Sequence, residues 1–348
     1  MKVAIDARMI NSSGIGTYIK NLMKGNLYDI VLGDNLDLKN YNQYYSECIK
    51  FTSPIYGIKE QLKFPYKELK KCKPDILHVP HYNIPLFYSG NLVVTIHDLT
   101  HLVYKEFLNN KLEYYYAKFM IYMAIKKSKT VITVSESTKK DILKFYPKTN
   151  PKKIKVIYNG VSDEFIEKDK SEVEYLYKKY SIPRGKKILL YVGNLKPHKN
   201  LEIVLQALTN IKDKEKYCLV LVGKAFNNQI DLKDREKKLK IDEMVIHTGL
   251  VNQTELIDFY NLADLFIFPS LYEGFGLPIL ESLKCGTPVA SSNVSSMPEV
   301  GLDMIEYFDP TKVEELKKII EKEEYILVKK KIRFNWNDAI NQTKQIFI

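Results

Sequence analysis

The 348-residue sequence predicts an α/β protein built from two doubly wound parallel sheets. Short apolar runs of strand length alternate with helix-length segments in both halves of the chain, which is the pattern of parallel α/β domains. Each half also starts with a strand, a loop and a helix whose N-terminus could bind an anion. The length is sufficient for two such domains. The sequence therefore predicts two Rossmann-like domains.

The first half opens with a predicted strand at 2–5, followed by the loop NSSGIGTY and a helix near 18–23. Gly14 and Gly16 would let the backbone of this loop approach a ligand closely. A dinucleotide fingerprint fits less well, because Ile19 stands where its third glycine belongs. The segment is therefore either a ligand-binding loop or a plain turn into a helix.

The middle of the first half is predicted to alternate between strands and helices. The segment 111–127 is expected to be a core-packing helix, and a further helix should begin at Ser135 or Ser137, whose hydroxyls suit an N-cap. Residues 33–73 show no clear pattern beyond a lysine-rich helical stretch that breaks at Pro65. Strands are predicted at 75–79, 92–96, 131–134 and 154–157.

His97 and Asp98 directly follow the predicted strand at 92–96. Ligands bind outside the carboxyl ends of the strands in doubly wound sheets, so this polar pair is a candidate for the site. The alternative is a structural histidine beside an aspartate that caps the next helix. We favour the functional interpretation because of the resemblance described below.

The second half repeats the strand-loop-helix pattern after a linker predicted at 163–172. Its first loop, GNLKPHKN, carries Lys199 close to the start of a helix, where a cation would strengthen an anion site. The predicted domains are 1–165 and 166–330. Strands are predicted at 188–192, 218–222, 244–247 and 265–268, and helices at 201–208, at 253–260, from Pro278 onward and from Met297 onward.

The strongest functional signal is the segment DLFIFPSLYEGFGLPILESLKCGTP, which is predicted to form a strand, a loop and a helix. Pro278 suits the first helical turn and Gly286 suits the C-cap. Glu273 in the loop and Glu281 in the helix can reach one crevice, whereas on one straight helix they would lie about 80° apart. The alternative is a pair of solvated glutamates. The helix N-terminus between them is suited to a phosphate.

The segment EGFGLPILE resembles the E-x7-E segment of family 4 glycosyltransferases, and EGFGLP followed by CGTPV resembles their mannosyltransferase-like branch. The resemblance covers nearly all of the chain. It implies a GT-B fold, in which two Rossmann-like domains face a cleft, with residues 331–348 forming a helix that crosses back to the first domain. It further implies a retaining, metal-independent transfer of a sugar, with GDP-mannose as the expected donor. The acceptor would be a glycan or lipid-linked saccharide in cell-surface polysaccharide synthesis.

The resemblance also implies roles for individual residues. Glu281 would accept hydrogen bonds from the ribose, Glu273 would hold the donor sugar, and His97 would orient that sugar. Asp98 would lie on the acceptor side. Lys199 and the main-chain N–H groups of 275–277 would stabilise the departing diphosphate. The full donor-binding set is Gly14, Gly16, Asn194, Lys199, Thr248, Gly249, Glu273, Gly274, Phe275, Gly276, Leu277 and Glu281, and the catalytic set is His97, Lys199 and Glu273.

One position departs from the family pattern, because Asn194 stands where an arginine commonly falls. Lys196 could supply the missing cation, or Asn194 could form a hydrogen bond instead. No Asp-x-Asp occurs in the sequence, so we expect neither a metal nor a bound cofactor beyond the nucleotide-sugar co-substrate.

The charge of the chain is concentrated in its first half. Residues 1–165 hold 25 Lys and Arg against 15 Asp and Glu, out of a net charge of +11 for the whole sequence. The densest basic segment, 59–73, interleaves lysines with apolar residues, which fits either an anionic membrane surface or a solvated lysine face. With no signal peptide and no bilayer-length apolar run, we expect a cytoplasmic chain that binds the inner face of the membrane peripherally.

Three other classes were weighed. A dehydrogenase is disfavoured by the broken glycine fingerprint, and a nucleic-acid-binding protein lacks any supporting motif besides its charge. A sugar-nucleotide epimerase of the same fold is the remaining alternative. It would change the donor without needing an acceptor.

Overall fold

The computed structural model describes residues 1–108, 110–224, 232–326 and 331–348. The chain divides into two units. The first combines Met1–Gly160 with Phe334–Ile348, and the second is Val161–Arg333. The sequence-based boundary fell between 165 and 166, and the predicted linker, 163–172, lies at the start of the second unit.

The first unit contains a parallel sheet in the order β3-β2-β1-β4-β5-β6-β7 among its described residues. This order contains the 3-2-1-4-5-6 arrangement of Rossmann folds, with the switch point between β1 and β4. The strands are β1 Val3–Asp6, β2 Ile30–Gly33, β3 Glu47–Lys50, β4 Ile76–Val79, β5 Leu92–Ile96, β6 Thr130–Thr133 and β7 Ile154–Val156.

Helices follow most of these strands. β1, β2, β4 and β5 are buried along their whole length, as expected of strands covered on both faces. The Ser135 side chain accepts a hydrogen bond from Thr138 N, which confirms it as an N-cap. The helices are α1 Ser13–Lys24, α2 Asn35–Leu38, α3 Ile58–Lys63, α4 Tyr66–Cys72, α5 Thr100–Val103, α6 Lys111–Lys127 and α7 Glu136–Phe145.

The second unit repeats the same arrangement, with strand order β10-β9-β8-β11-β12-β13 and all pairs parallel. Counted within the unit, this is again the order 3-2-1-4-5-6, and its switch point lies between β8 and β11. The strands are β8 Lys187–Val192, β9 Tyr217–Val222, β10 Val245–Gly249, β11 Leu265–Phe268, β12 Val289–Ser292 and β13 Glu306–Phe308.

The remaining helices complete the two units. The last of them belongs to the first unit, where Trp336 lies 6.3 Å from Tyr18 between ring centroids and Phe347 lies 5.9 Å from Tyr28. The helices are α8 Lys170–Val173, α9 Tyr175–Lys179, α10 Leu201–Asn210, α11 Leu232–Leu239, α12 Gln253–Leu262, α13 Leu277–Lys284, α14 Met297–Gly301, α15 Val313–Ile320 and α16 Trp336–Phe347.

Four strands were not predicted. β2 ends at the start of the segment 33–73, and β3 lies inside that segment. β3 is also an edge strand whose residues are mostly only partly buried or exposed. β12 is rich in small polar residues and β13 has only three residues, so neither carries a strong apolar pattern. Short or polar strands of this kind are held by their neighbours in the sheet.

The loop predicted at Gly14 and Gly16 is helical, because α1 begins at Ser13. A Cβ on Gly16 would lie 2.4 Å from the Ile10 carbonyl oxygen, so this glycine allows the helix to pack on the preceding turn. Tertiary packing therefore overrides the low helix propensity of glycine here. Gly14, in the first turn, has no atom within 4 Å of the corresponding position.

Two further features bear on the sequence predictions. The described part of the chain includes no helix with both the length and the apolar character needed to cross a bilayer. All four cysteines are free thiols.

Candidate active site

The predicted site lies at the switch point of the second sheet. Lys199 follows β8 and Glu273 follows β11, and these two strands are neighbours whose next connections run in opposite directions. A crevice forms at such a point in open α/β sheets because the adjoining loops diverge. The topology therefore gathers residues that are 74 positions apart in the chain.

Lys199 and Glu273 form a direct ion pair, with Lys199 Nζ 2.6 Å from Glu273 Oε1. The Ser270 hydroxyl donates to the same carboxylate oxygen at 2.6 Å. Charge-assisted hydrogen bonds of this length are stronger than neutral ones. The loop before α13 is thus anchored to the loop before α10 by two residues that the sequence analysis singled out.

The helix α13 starts as predicted, with Pro278 in its first turn and Gly276 as its N-cap. Gly276 has φ +107°, which L-residues with side chains rarely adopt. Pro278 has no N–H, and the Ile279 N–H donates to Gly276 O at 3.1 Å. An anion at this helix end would therefore meet the N–H groups of Gly276 and Leu277. Gly286 follows the C-terminus of the helix with φ +73°, as a C′ glycine does.

Glu281 lies inside α13 and has a different environment from Glu273. The Tyr260 hydroxyl donates to Glu281 Oε2 at 2.9 Å. Burial raises the pKa of Glu281 to about 7, although the hydrogen bond from Tyr260 opposes that rise. The carboxyl is therefore close to half-ionised at neutral pH, and hydrogen-bond donors from a ligand would favour its charged form.

Two serines that were not predicted to belong to the site hold the loop of Glu273. Ser295 Oγ lies 2.7 Å from Glu273 O, and Ser296 Oγ lies 2.9 Å from the same carbonyl oxygen and 2.8 Å from Phe275 O. Ser296 is fully buried and Ser295 has φ +55°. The signal that could have identified them is the SSNVSSMPE stretch, in which Ser295 and Ser296 follow the end of β12.

Gly274, Phe275 and Gly276 are buried in this loop, so their contribution to a ligand would come from the backbone. The Phe275 side chain itself is 4% exposed and belongs to the core. The side-chain contacts of the loop are thus directed inward.

Asn194 lies in the loop that follows β8. Its carbonyl oxygen accepts a hydrogen bond from Tyr191 OH at 2.9 Å, and its Oδ1 lies 3.3 Å from Lys196 N. The Lys196 side chain is exposed. Asn194 thus shapes the loop locally, and the structure leaves both earlier alternatives for the second diphosphate contact open.

Thr248 and Gly249 close β10, beside a small cavity of about 70 Å³ lined by Gly193, Gly223 and Gly249 among others. A Cβ on Gly223 would lie 1.8 Å from the Gly193 carbonyl oxygen, so the backbones of the first two loops touch there. Thr248 Oγ1 donates within the loop, to Gly249 O at 3.0 Å. The edge of the sheet at β8, β9 and β10 is therefore mostly backbone.

In the first unit, His97 and Asp98 follow β5 as predicted. His97 Nε2 lies 3.0 Å from Pro80 O, and a carbonyl oxygen can only accept, so the Nε2–H donates. Burial lowers the pKa of His97 to about 4, against the opposing charge of Asp98. The imidazole is therefore neutral at pH 7, with Nδ1 as its acceptor atom. Asp98 Oδ1 accepts from Thr100 N at 2.9 Å.

A charged cluster that was not predicted from the sequence lies at the switch point of the first sheet. Arg8 Nη2 lies 2.5 Å from Asp6 Oδ2 and 2.6 Å from Glu60 Oε1, and His81 Nε2 lies 3.4 Å from Asp6 Oδ2. Burial alone would raise the pKa of Asp6, but the charge of Arg8 and the hydrogen bonds that Arg8 donates hold it below its ordinary value. The Arg8 guanidinium also lies 3.8 Å from the centre of the Phe51 ring.

Asp6, Glu60 and His81 place ligand atoms within 4.8 Å of one another, a spacing that could hold a metal ion. The guanidinium of Arg8 already supplies the positive charge between the two carboxylates. The pair Asp6 and Arg8, at the end of the first strand, was the sequence signal for this cluster. Its partners Glu60 and His81 could not be assigned without the fold.

Two family models match the chain, one almost entirely in the first unit and one in the second. The model described as Glycosyltransferase Family 4 matches residues 49–165, and the model described as Glycosyl transferases group 1 matches residues 173–330. Two relatives from Escherichia coli are 30% identical to the chain. They are the serotype-specific mannosyltransferase WbdA, over 253 residues, and the O-antigen chain mannosyltransferase B, over 251 residues.

These alignments cover 70% and 71% of this chain, but only 30% of WbdA and 64% of the O-antigen chain mannosyltransferase B. The epimerase alternative finds no support in these comparisons. Among solved structures, HepE from Anabaena, in complex with UDP and glucose, has a TM-score of 0.80 at 18% identity, with 99% of both chains covered. This likeness shows the fold and confirms the predicted pair of Rossmann-like domains of the GT-B type. The chain belongs to the family 4 glycosyltransferases.

Proposed function

We propose that the protein is a retaining glycosyltransferase that transfers mannose from GDP-mannose to a hydroxyl of a glycan or lipid-linked saccharide in cell-surface polysaccharide synthesis. The observation that carries the proposal is the Lys199–Glu273 ion pair at the switch point of the second sheet, next to the helix that holds Glu281. It combines a cation for a diphosphate, a carboxylate for a sugar and a carboxylate for a ribose.

The ion pair gives Lys199 two possible partners. In the structure its ammonium contacts Glu273, and a nucleoside diphosphate would add a second anion within its reach. Glu273 stays anchored by Ser270 Oγ, so its carboxylate remains available to accept hydrogen bonds from sugar hydroxyls. Fixed donors aimed at a developing negative charge stabilise the transition state more than the ground state. Lys199 and the N–H groups at the start of α13 would do so for the departing diphosphate.

His97 would contribute as a hydrogen-bond acceptor. Because its Nε2–H is directed at Pro80 O and its pKa is lowered to about 4, the neutral ring has Nδ1 to offer to a sugar hydroxyl. The role would be to orient the donor sugar, and Asp98 would contact the acceptor. Neither residue acts as a nucleophile in this proposal.

Metal independence follows from the same residues. The sequence lacks Asp-x-Asp, and Lys199 with the α13 N-terminus would neutralise the diphosphate instead. We expect full activity in EDTA. Loss of activity in EDTA and its recovery with manganese or magnesium would contradict this part of the proposal.

The identity of the donor is supported by the two relatives from Escherichia coli, which are both mannosyltransferases. HepE was solved with UDP and glucose, and at 18% identity it supports the fold alone. Uracil and guanine nucleotides must therefore be compared directly. Thermal unfolding with GDP, UDP, dTDP and ADP would identify the base, because a ligand of the folded state raises the melting temperature.

The transfer itself is tested by incubating the protein with GDP-mannose and a mannose-containing oligosaccharide acceptor, then determining the product by NMR. We expect an added mannose whose anomeric configuration is that of the donor. An inverted linkage would contradict the retaining mechanism. If the protein consumes UDP-glucose but not GDP-mannose, the proposed donor is wrong and UDP-glucose takes its place. If the donor is modified without any acceptor, the proposed transfer reaction is contradicted.

A further inference from the structure

Helix α6 (Lys111–Lys127) is apolar on two opposite faces. One face packs into the first unit through Ala117, Met120, Ile121, Ala124 and Ile125. The sequence analysis expected this packing. The other face carries four large apolar side chains that are exposed to solvent: Leu112 (78%), Tyr115 (63%), Phe119 (51%) and Tyr122 (44%).

These four side chains form one stripe. At 100° per residue, their spacings of three, four and three positions place them within an arc of about 80° on the helix surface. Single exposed apolar residues are common on soluble proteins, but a contiguous row marks a surface that contacts another apolar phase. We call Leu112, Tyr115, Phe119 and Tyr122 the α6 stripe.

Lysines flank the α6 stripe. Lys111, Lys118 and Lys126 are exposed on the same side of the helix, and the only acid in the helix sequence, Glu113, lies on the other side. Lys118 Nζ is 5.8 Å from the centre of the Tyr114 ring, and Lys126 Nζ is 5.8 Å from the centre of the Tyr122 ring. The exposed face therefore combines apolar side chains with lysines that form no ion pair among the described residues.

We infer that the α6 stripe lies on an anionic lipid surface. Leu112 and Phe119 would enter the boundary between headgroups and acyl chains, and the tyrosine rings would sit at headgroup level. The lysines have long apolar stems, so their ammonium groups can reach lipid phosphates while the stripe is inserted. The helix, about 25 Å long, would lie parallel to the membrane.

A second copy of the chain fits this face less well. Pairing two α6 stripes would bring Lys111, Lys118 and Lys126 of both copies together, and like charges at close range oppose association. An anionic surface attracts the same lysines. The charge therefore selects the lipid surface over self-association as the occupant.

The lysine-rich segment 59–73 does not offer the same combination. Phe64 and Leu69, which the sequence interleaves with its lysines, are 5% and 1% exposed and belong to the core. Leu62, on α3, is exposed at 75% and is the one apolar side chain of 59–73 among the large exposed ones. This segment can therefore add long-range attraction without inserting, and it supplies a matched control.

The test uses the full chain and flotation with two kinds of vesicle, phosphatidylcholine alone and phosphatidylcholine mixed with phosphatidylglycerol. We expect binding only to the anionic vesicles, decreasing as salt rises. The double variant Tyr115→Ser/Phe119→Ser should lower the partition coefficient at least tenfold, whereas Leu62→Ser should leave it unchanged. The double change Lys118→Gln/Lys126→Gln should lower it about 30-fold, at roughly fivefold per lysine near the surface.

A second measurement reports insertion directly. In Phe119→Trp, the new indole should shift its emission to shorter wavelength on anionic vesicles and be quenched by brominated lipid. The native Trp336 is 7% exposed and serves as a constant background. Circular dichroism of each variant checks that it is folded. We expect folded variants, because the substituted side chains are exposed and make few contacts within the protein.

Four outcomes would overturn the inference. The first is that the parent protein does not bind anionic vesicles at low salt. The second is that the Tyr115→Ser/Phe119→Ser variant binds them as strongly as the parent protein. The third is that the emission spectrum of Phe119→Trp does not change when anionic vesicles are added. The fourth is a dimer in sedimentation velocity that Phe119→Ser dissociates, which would assign the stripe to a second copy. The inference does not depend on the proposed transfer reaction, because vesicle binding needs no donor.

Discussion

The two units share the strand order 3-2-1-4-5-6, and each gathers charged residues at its switch point, but the two clusters differ in burial. In the first unit, Arg8 and Asp6 have side chains only 5% and 1% exposed. In the second unit, Lys199 and Glu273 are 19% and 16% exposed. The same topology thus produces one closed cluster and one that a ligand can reach.

This difference teaches how to separate structural from functional ion pairs in one fold. A closed cluster cannot release a partner without leaving a buried charge unpaired, so its effect is on stability. A partly exposed pair can exchange its partner for a ligand. The experiments below test this distinction, beginning with the largest expected effect.

The largest effect should come from Arg8→Ala in the first unit. Removing the guanidinium leaves Asp6 and Glu60 buried without their cation, and breaking a buried pair in this way costs about 3–5 kcal/mol. We expect the free energy of unfolding in urea to fall by that amount. The exposed pair of Lys2 with Glu47 is the control, because Lys2→Gln should change stability by no more than about 1 kcal/mol. Equal effects of the two changes would show that burial does not distinguish these pairs.

The second effect concerns Lys199→Ala. If Lys199 stabilises the departing diphosphate, turnover should fall about 10²–10³-fold, as when a preorganised electrostatic donor is removed. Stability should change little, because the pair with Glu273 is partly exposed. Turnover measured at saturating donor is the readout, and Lys196→Ala in the same loop is the matched control. A larger loss from Lys196→Ala would transfer the role to Lys196.

The third effect separates the two glutamates. Glu281→Gln should weaken nucleotide binding by about 1.5–3 kcal/mol, the range for a hydrogen bond to a charged group. Glu273→Gln should lower turnover more than nucleotide affinity, because its proposed partner is the sugar. Calorimetric titration with the nucleoside diphosphate and steady-state kinetics distinguish these results. If both variants have the nucleotide affinity and the turnover of the wild-type protein, the proposed site is wrong.

The smallest effect is a pH dependence carried by Glu281. Its folded pKa of about 7 lies above the 4.5 of an ordinary glutamate, so between these two pH values the folded state binds more protons than the unfolded state. Its contribution to stability is therefore present at low pH and is lost as pH rises through about 7. Ribose hydroxyls donate to the charged form, so donor binding should release a proton and strengthen with pH. A pKa lowered by about one unit on binding corresponds to about a tenfold gain in affinity.

Titration calorimetry of a nucleotide sugar in buffers with different heats of ionisation measures that proton release. The Glu281→Gln variant should bind without it, which distinguishes this residue from other titrating groups. Proton uptake by the wild-type protein, or the same release by the variant, would contradict the assignment.

The sequence was sufficient for the parts of the fold with strong local patterns. The strand at 265–268, the N-cap Ser135 and the helix start at Pro278 were predicted and confirmed, because each rests on neighbouring residues. The helix α1 was wrongly begun after Gly16, since the contact that selects the helix is with the Ile10 backbone. Such contacts are visible only when the chain has folded.

In the candidate site, too, the residues with a local motif were predicted from the sequence, and the contacts that depend on the fold were not. Glu273, Glu281 and Lys199 were identified from motif and context, and the ion pair between two of them is a product of the strand order. Ser296 was missed because the serine-rich stretch after β12 does not itself show that a serine hydroxyl holds the loop of Glu273, which is 23 positions away in the chain. The Arg8 cluster was missed because Glu60 comes from a segment without a clear pattern and no local motif links His81 to Arg8.

The path of the chain has a consequence for its synthesis. The second unit, Val161–Arg333, is inserted between two parts of the first, because residues 334–348 return to the sheet formed by 1–160. Tyr18 and Tyr28 obtain their contacts with Trp336 and Phe347 only after the whole second unit has been translated. Ribosome-bound chains arrested at the end of the second unit should therefore protect that unit from protease while the first remains sensitive. The domain that is translated second would be the first to finish folding on the ribosome.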